Sequence, residues 1–475
     1  MTSPRFDPGS FRDRESRVAL HQERILRLLS PEALASWNAL RESRSFERAV
    51  AGGRIVGTKR PPDATELLAA FPGWAGILEH ERVPFVSYPY EWSFSMLQDA
   101  AILQLELLLE ALDDGLTLKD ASAYNVQWRG AQPVFVDVGS FERYVPGEPW
   151  VGYLQFCQLF LYPLLLTSHR GVPFQPFLRG SLDGIPVAAM TQLFSARDWL
   201  RPGVFADVFL HAKLQAGNAA SRTAVRREVR RSGFSREMIA TNVRRLLRIV
   251  SGMRWKLASS EWSEYASDNS YDAADAEAKK AFVTKAAATR RWRRVWDLGA
   301  NTGTFARIAA EHADYTVAMD SDALSVDRLF RELRAEKRRD VLPLVANVVD
   351  PSPGLGWRGR ERLPAGDRGR PDLTLCLALL HHLVLGGNVP LGEVVDWLAE
   401  PGGHLVIEFV AKGDPMAEKL LLNKLDNYAD YDRDEFERLL GLRFELLDRL
   451  ELRGGLRTLY FARPTGTARE ASTRP

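Results

Sequence analysis

Four short stretches in the second half of the chain combine residue types able to hold a polar ligand. The first, Val295-Trp-Asp-Leu-Gly-Ala-Asn-Thr-Gly303, is an apolar run that reaches Asp297 and then Gly299, Ala300, Asn301 and Gly303. Glycine permits the sharp turn and close backbone approach that a ligand cradle needs. A helix opening at Thr304 would add free N–H groups. The spacing is D-x-G-x-x-x-G rather than the G-x-G-x-x-G of dinucleotide-binding turns. The second stretch, Val317-Ala-Met-Asp320, ends in a carboxylate that can accept both hydroxyls of a ribose. The third, Leu344-Val-Ala-Asn-Val-Val-Asp350, offers Asn347 and Asp350 to an adenine edge. The fourth runs from Pro371 through an apolar segment into His381 and His382. Each alone has an ordinary structural use, since strand-end acids cap helices and single histidines pack in cores. Four of them in order, each at a strand C-terminus, predict a nucleoside pocket, because open α/β sheets bind ligands there.

The elements that must position these residues follow from periodicity. From Arg294 onward, strand-like and helix-like segments alternate: Val295–Leu298, Thr304–Glu311, Thr316–Asp320, Leu324–Lys337, Val341–Val345, Leu373–Leu377, Leu391–Ala399 and His404–Phe409. Such alternation predicts an α/β domain with a parallel sheet covered on both faces. Phe444–Leu450 and Thr458–Ala462 read as a terminal hairpin, and residues 465–475 as a disordered tail. The first half is a different texture. Arg17–Leu29 predicts a hairpin, Glu32–Ala51 a helix, Arg54–Thr58 a strand and Ala64–Ala70 a helix. Ile77–His80 and Pro84–Tyr88 predict strands, and Ser93–Leu112 a helix stopped at Asp113-Asp114-Gly115. Pro133–Val138 is β-rich. Ser221–Met253, dense in arginine (226, 227, 230, 231, 244, 245, 248), predicts a solvated helical connector whose basic face can meet phosphate. The division is an α+β accessory domain over 1–215, a connector and cofactor-covering segment over 216–290, an α/β domain over 291–464 and the tail.

The stretches D-L-G-A-N-T-G, M-D and A-L-L-H-H-L together resemble the class I S-adenosylmethionine-dependent methyltransferases, over about residues 290–463. The resemblance implies a Rossmann-like seven-stranded sheet with a terminal antiparallel hairpin, S-adenosyl-L-methionine as cofactor and methyl transfer as the activity. It implies that Asp297, Gly299 and Gly303 line the methionine and ribose part, that Asp320 holds the ribose, and that Asn347 or Asp350 lies near the adenine. The whole chain also resembles a large bacterial group related to nodulation-associated proteins. Tyr88-Pro-Tyr-Glu-Trp92, Leu118–Asn125, Pro351–Trp357 and Arg457-Thr-Leu-Tyr460 carry that likeness.

Methyl transfer requires alignment of an acceptor with the sulfonium methyl and exclusion of water. A base is needed if an oxygen or nitrogen must lose a proton. His381, His382, Glu408 and Lys412 are the candidates, and imidazole titrates in the suitable range. A metal site from His381, His382, Glu408 and Asp426 is the weaker reading, and no metal is expected. Tyr428, Asp430 and Tyr431 are candidates for a lid. Tyr265, Tyr271 and Lys279 are candidates to cover the cofactor. An Asn-Pro-Pro-Tyr-like tetrad is absent after the fourth strand, which favours an oxygen or small-molecule acceptor over DNA or a glutamine amide; the expected acceptor is a small molecule or glycan hydroxyl, and nucleic acid is not expected.

In the first half, Asp120, Asn125 and Asp137, with Asp137 ending an apolar run, resemble a protein-kinase catalytic loop and metal-binding Asp-x-Gly. The usual His-Arg before the catalytic Asp is replaced by Leu118-Lys119, and no Gly-rich phosphate loop is present; Lys59 is a phosphate-contacting candidate. The resemblance implies a degenerate kinase-like fold. A bifunctional kinase–methyltransferase and a non-catalytic cofactor-binding protein are the alternatives.

Composition sets the remaining bounds. The 475 residues are 45% apolar and 26% charged, enough for several packed cores and unlike a disordered chain. A net charge of +2 gives no bulk attraction to nucleic acid. The two cysteines, Cys157 and Cys376, exclude a disulfide framework. The most apolar stretch, Val151–Thr167, carries Gln155, Gln158 and Pro163 and predicts a buried helix rather than a membrane span. Together with an N-terminus lacking a secretory pattern, this leads to the expectation of a cytoplasmic protein.

Overall fold

The computed structural model describes residues 5–213, 235–255, 273–422, 424–425, 427–452 and 454–465. Arg226, Arg227, Arg230, Arg231, Tyr265, Tyr271, Asp426 and most of the C-terminal tail lie outside the described residues. The chain divides into two compact units. One comprises Met1–Trp128, Pro133–Leu257 and Leu355–Arg362; the other comprises Arg129–Gln132, Ala258–Gly354 and Leu363–Pro475.

The first unit carries a five-stranded antiparallel sheet. Its strands are β1 (Arg5–Phe6), β2 (Ser16–His21), β3 (Arg24–Leu29), β4 (Thr58–Lys59) and β5 (Gly76–His80), in the order β1-β2-β3-β5-β4. Alternate apolar residues on β2, β3 and β5 (Ala19, Leu26, Leu28 and Ile77) join Ala64, Leu67 and Phe71 in one core cluster. The single helix expected over Glu32–Ala51 is two, Pro31–Arg41 and Arg44–Ala51. Ser43 breaks it, because its hydroxyl accepts from the Phe46 N–H and starts a new helix.

The strand expected at Pro84–Tyr88 does not form. Pro84 has no N–H to donate. The Gln127 side-chain amide takes the place of a strand neighbour: Ser87 N–H donates to its Oε1 (2.9 Å), and its Nε2 donates to Ser87 O (3.0 Å). Helix Phe94–Asp113, capped by Ser93, is buried along most of its length. Two short sheets follow it. One pairs β6 (Leu116–Leu118) with β9 (Phe141–Arg143), and the other pairs β7 (Val126–Arg129) with β8 (Gln132–Phe135). Asp137, just after β8, is ion-paired with Arg27 (2.8 Å) and accepts from Ser140 Oγ (2.8 Å). After burial, its charge is what raises the neighbouring Asp120 carboxyl above its ordinary range. Residues 153–170 form the expected buried helix, interrupted by a π-turn at Cys157–Leu161. No helix among the described residues is long and apolar enough to cross a membrane.

In the second unit the strands are β10 (Val295–Leu298), β11 (Thr316–Asp320), β12 (Val341–Val345), β13 (Leu373–Cys376), β14 (His404–Val410), β15 (Phe444–Glu451) and β16 (Arg457–Pro464). Their order is β12-β11-β10-β13-β14-β16-β15. The first five are parallel; β16 runs antiparallel between β14 and β15. This is the Rossmann-like methyltransferase sheet that the sequence resemblance implies. Strands β10, β13 and β14 are almost wholly apolar and buried, as strands covered on both faces must be. On one face Phe282, Val283 and Ala286 of helix Ala273–Ala287 pack with Val295, Leu373, Leu375, Val406 and Phe461. The strand order reverses at β10, whose neighbours are β11 and β13. A crevice opens beyond the carboxyl ends of the strands at such a point.

Candidate active site

The crevice is a cavity of about 480 Å³, within the usual range for small-molecule sites. Its floor is the β10 turn. Gly299 and Gly303 both adopt positive φ, +73° and +81°. At Gly303 a Cβ would stand 2.5 Å from Leu329 Cδ1, so glycine serves both the backbone angle and the helix packing behind it. The next residue opens helix Thr304–Ala310.

Asp320, at the end of β11, is fixed by two backbone donors. Asn301 N–H meets its Oδ2 and Asp322 N–H its Oδ1, both at 2.8 Å. Each oxygen keeps lone-pair capacity for a further donor. Asp297 on β10 is 2% exposed, yet its Oδ2 has no hydrogen-bond partner among the described residues. Burial first, and the Asp320 charge second, push its carboxyl up to about 7, against the lowering effect of Lys279. A buried acceptor without a donor is costly and rare in a finished structure. Such an oxygen can accept from a ligand's donor or pair with a cation.

That placement carries a pH dependence. A cationic or hydroxyl donor on the ligand favours the ionised Asp297. Its carboxyl in the free protein titrates at about 7. Affinity should therefore be constant above that pH and fall below it, with a loss approaching tenfold per pH unit at about pH 5.5–6.5. Isothermal titration of S-adenosylhomocysteine from about pH 5.5 to 8.5 checks this, and Asp297→Asn should flatten the profile.

The remaining walls come from three places. Ala346, Asn347, Val348 and Val349 follow β12; Leu377, Ala378, Leu379, His382 and Leu383 follow β13; Lys279, Lys280 and Phe305 flank the turn. Of the sequence candidates, Asp297, Gly299, Ala300, Asn301, Asp320, Asn347, Lys279 and His382 therefore line one cavity. Asp350 is exposed and does not line it, and neither does Lys412. His381 is fully buried beside His382, with ring centroids 4.2 Å apart and neither nitrogen hydrogen-bonded among the described residues. Burial holds its pKa well below the ordinary histidine value. His382 is lowered to about 4, again mainly by burial with a contribution from the Arg457 charge, so it is neutral at physiological pH.

Glu408 is not a cavity-wall residue but a buried hub. Its Oε2 accepts from Lys279 Nζ (2.6 Å) and from the Ala378 N–H (2.9 Å), and its Oε1 lies 3.4 Å from Arg457 Nη1. Arg457 in turn forms a fork with Asp414 (2.7 and 3.0 Å). Ala378 sits at φ +50°, a conformation unfavourable for a residue with a Cβ, and its bond to Glu408 holds it there. Arg457 and Asp414 were not among the sequence-derived site residues. The signals were present: an arginine opening an apolar strand, and an aspartate immediately before Pro415, where it caps a helix.

Tyr431 is not a lid residue. It is 2% exposed, donates to Val410 O (2.7 Å) and stacks on Phe409. Tyr428 instead latches the loop after His382, bonding Asn388 Oδ1, with Lys424 Nζ on Leu385 O (2.5 Å). No group of three or more potential metal-ligating side chains occurs among the described residues.

No family model matches the sequence. The nodulation protein NoeA of Rhizobium meliloti (strain 1021) is 34% identical over 455 residues, covering 95% of this chain and 94% of that protein. Among solved structures, the N-methyltransferase NodS from Bradyrhizobium japonicum WM9, in complex with S-adenosyl-L-homocysteine, is 12% identical. It overlays 43% of this chain and 93% of its own at a TM-score of 0.32. A SAM-dependent methyltransferase from Aquifex aeolicus is 16% identical and overlays 44% of this chain and 100% of its own, with a TM-score of 0.30. The strand order, not these partial overlays, defines the fold.

Proposed function

The chain belongs to the family of the nodulation protein NoeA, and we propose that it is an S-adenosylmethionine-dependent methyltransferase working at the β10–β13 crevice. The observation that carries this reading is the pair of strand-end carboxylates in one cavity. Asp320 is oriented by two backbone donors, and Asp297 is buried with an unserved oxygen.

When bound, S-adenosylmethionine supplies an electrophilic methyl on a sulfonium sulfur. Asp320 accepts the two ribose hydroxyls with the lone pairs left over from its backbone bonds. Asp297 takes the donor or positive charge of the methionine part. Asn347 with Val348 and Val349 forms the adenine wall. Leu379, Leu383 and Leu420 shut out water on the side where the acceptor must approach. His382 faces that side as a neutral imidazole, able to take a proton from the acceptor. Being uncharged, it does not repel a sulfonium. His381 and Glu408 act behind the wall, as packing and as a positioning hub. The acceptor class favoured is a small molecule or a glycan hydroxyl.

Transfer of labelled methyl from S-adenosylmethionine into a fractionated host lysate tests the activity. Label in one fraction names the acceptor class. Cofactor binding with no label in any fraction would leave a binding protein, not an enzyme. For the cofactor site itself, Asp320→Ala should cost about 1.5–3 kcal/mol of binding, or about 10- to 150-fold in Kd. An unchanged Kd would show that the ribose lies elsewhere.

A further inference from the structure

The first unit holds a second cavity that the methyl-transfer reading does not use. It is larger, about 880 Å³. Its wall carries four arginines, Arg201, Arg245, Arg248 and Arg254, together with His169 and Trp255, and no carboxylate among the described residues.

Two of the arginines are anchored. Arg245 forms a fork with the buried Asp207 (2.6 and 2.8 Å), which also accepts from Tyr153 Oη. Arg201 donates to His169 O (2.8 Å) and pairs with Asp198 (3.2 Å). The other two have no acidic partner among the described residues. Arg254 is held only through Nη1, on the carbonyls of Ser251 and Met253, and Arg248 makes no ion pair among the described residues. Like charges that converge on one cavity repel, so their arrangement favours an anion between them. Guanidinium forks match the oxygens of a phosphate.

Trp255 adds a second requirement. Its Nε1 is buried and has no hydrogen-bond partner among the described residues. A ligand that lays a ring on this indole and offers an acceptor to its N–H would satisfy both features.

We propose that this cavity binds a small molecule carrying a diphosphate and a planar ring, as in a nucleoside diphosphate. Arg248 and Arg254 hold the phosphates, and Trp255 holds the ring. The anchored Arg245 and Arg201 set the field around them. This site is separate in sequence from the residues of the methyltransferase cavity, and the inference stands whether or not methyl transfer does.

The test uses the full chain, titrated calorimetrically with inorganic pyrophosphate and with uridine diphosphate. Both should bind, the nucleotide more tightly. The double variant Arg248→Gln/Arg254→Gln removes two exposed side chains, so its melting temperature should be unaltered. It should weaken both probes by about tenfold or more. Trp255→Leu should weaken uridine diphosphate about 5- to 100-fold and leave pyrophosphate unaffected. Three results would overturn the proposal: no binding of either probe, binding that persists in the double variant, or equal affinity for the two probes.

Discussion

Replacing His382 with alanine is expected to lower the rate of methyl transfer by about 10²–10⁴-fold, the usual contribution of a positioned general base. Affinity for S-adenosylhomocysteine should change by less than about threefold, because the proposed contacts of the cofactor's charged and hydroxyl groups are with Asp297 and Asp320. The pH profile sharpens the prediction. Burial and the Arg457 charge hold the His382 imidazole at about 4. Its neutral, proton-accepting form is therefore complete above about pH 5. At saturating cofactor, turnover should be flat through neutrality on account of this group and fall as pH drops through about 4. His382→Gln keeps a polar side chain but cannot titrate, so it should remove that limb as well as most of the rate. The assay is incorporation of labelled methyl into the fraction identified with the unmodified protein. Turnover of His382→Ala within about threefold of that protein would mean that the histidine only shapes the wall and that the acceptor needs no base.

The parts of this site that were legible in the sequence are those set by local chemistry. Asp297, Gly299 and Gly303 are spaced as a strand end, a turn and a helix start require. Val295–Leu298, Thr316–Asp320 and Val341–Val345 form strands over those same residues. Lys279 is legible in the sequence only as a candidate to cover the cofactor. The structure puts it on a buried helix face with Phe282, Val283 and Ala286, three, four and seven residues on, a stripe on which that expectation does not rest. What sequence could not separate was His381 from His382. Adjacent residues point in different directions from one short helical turn, and only packing decides that the first enters the core while the second meets the cavity. The Glu408 hub was illegible for the same reason. Its partners Lys279, Ala378, Arg457 and, through Arg457, Asp414 are scattered along the chain, and long-range charge pairing leaves no local period. In the first unit, the Pro84–Tyr88 strand failed because the Gln127 side chain, 40 residues away from Ser87, took the backbone bonds that a strand would have made.

Glu408→Ala should be the most destabilising single substitution in the second unit, by about 3–5 kcal/mol, because it takes the main counter-charge from the buried Lys279 and one of two carboxylates from Arg457. Lys279 and Arg457 have side chains 6% exposed, and Glu408 is fully buried. Burial already lowers the Lys279 pKa against the pull of Glu408. Without the glutamate, Lys279 keeps the weaker attraction of Asp297, and loss of its proton or entry of water relieves the rest. Arg457 keeps Asp414 and suffers less. The change also frees Ala378 from the bond that holds it at φ +50°, so the Leu377–Leu379 wall should shift and cofactor affinity should fall together with stability. Chemical denaturation followed by tryptophan fluorescence, to which Trp292, Trp296 and Trp397 of the second unit contribute, measures the first effect, and calorimetric titration of S-adenosylhomocysteine the second. A loss below about 1 kcal/mol would show that the hub is hydrated rather than buried. The charge argument has its own control. In Lys279→Met/Glu408→Gln the stranded lysine is gone, and the introduced side-chain amide can still accept from the Ala378 N–H. The double variant should recover more than about half of the stability lost in Glu408→Ala, since replacing a buried pair by groups of similar volume is close to neutral. If instead the double variant were as unstable as Glu408→Ala, neither lost volume nor an unpaired Lys279 would account for the loss, and the carboxylate's attraction for Arg457 would be what Glu408 contributes.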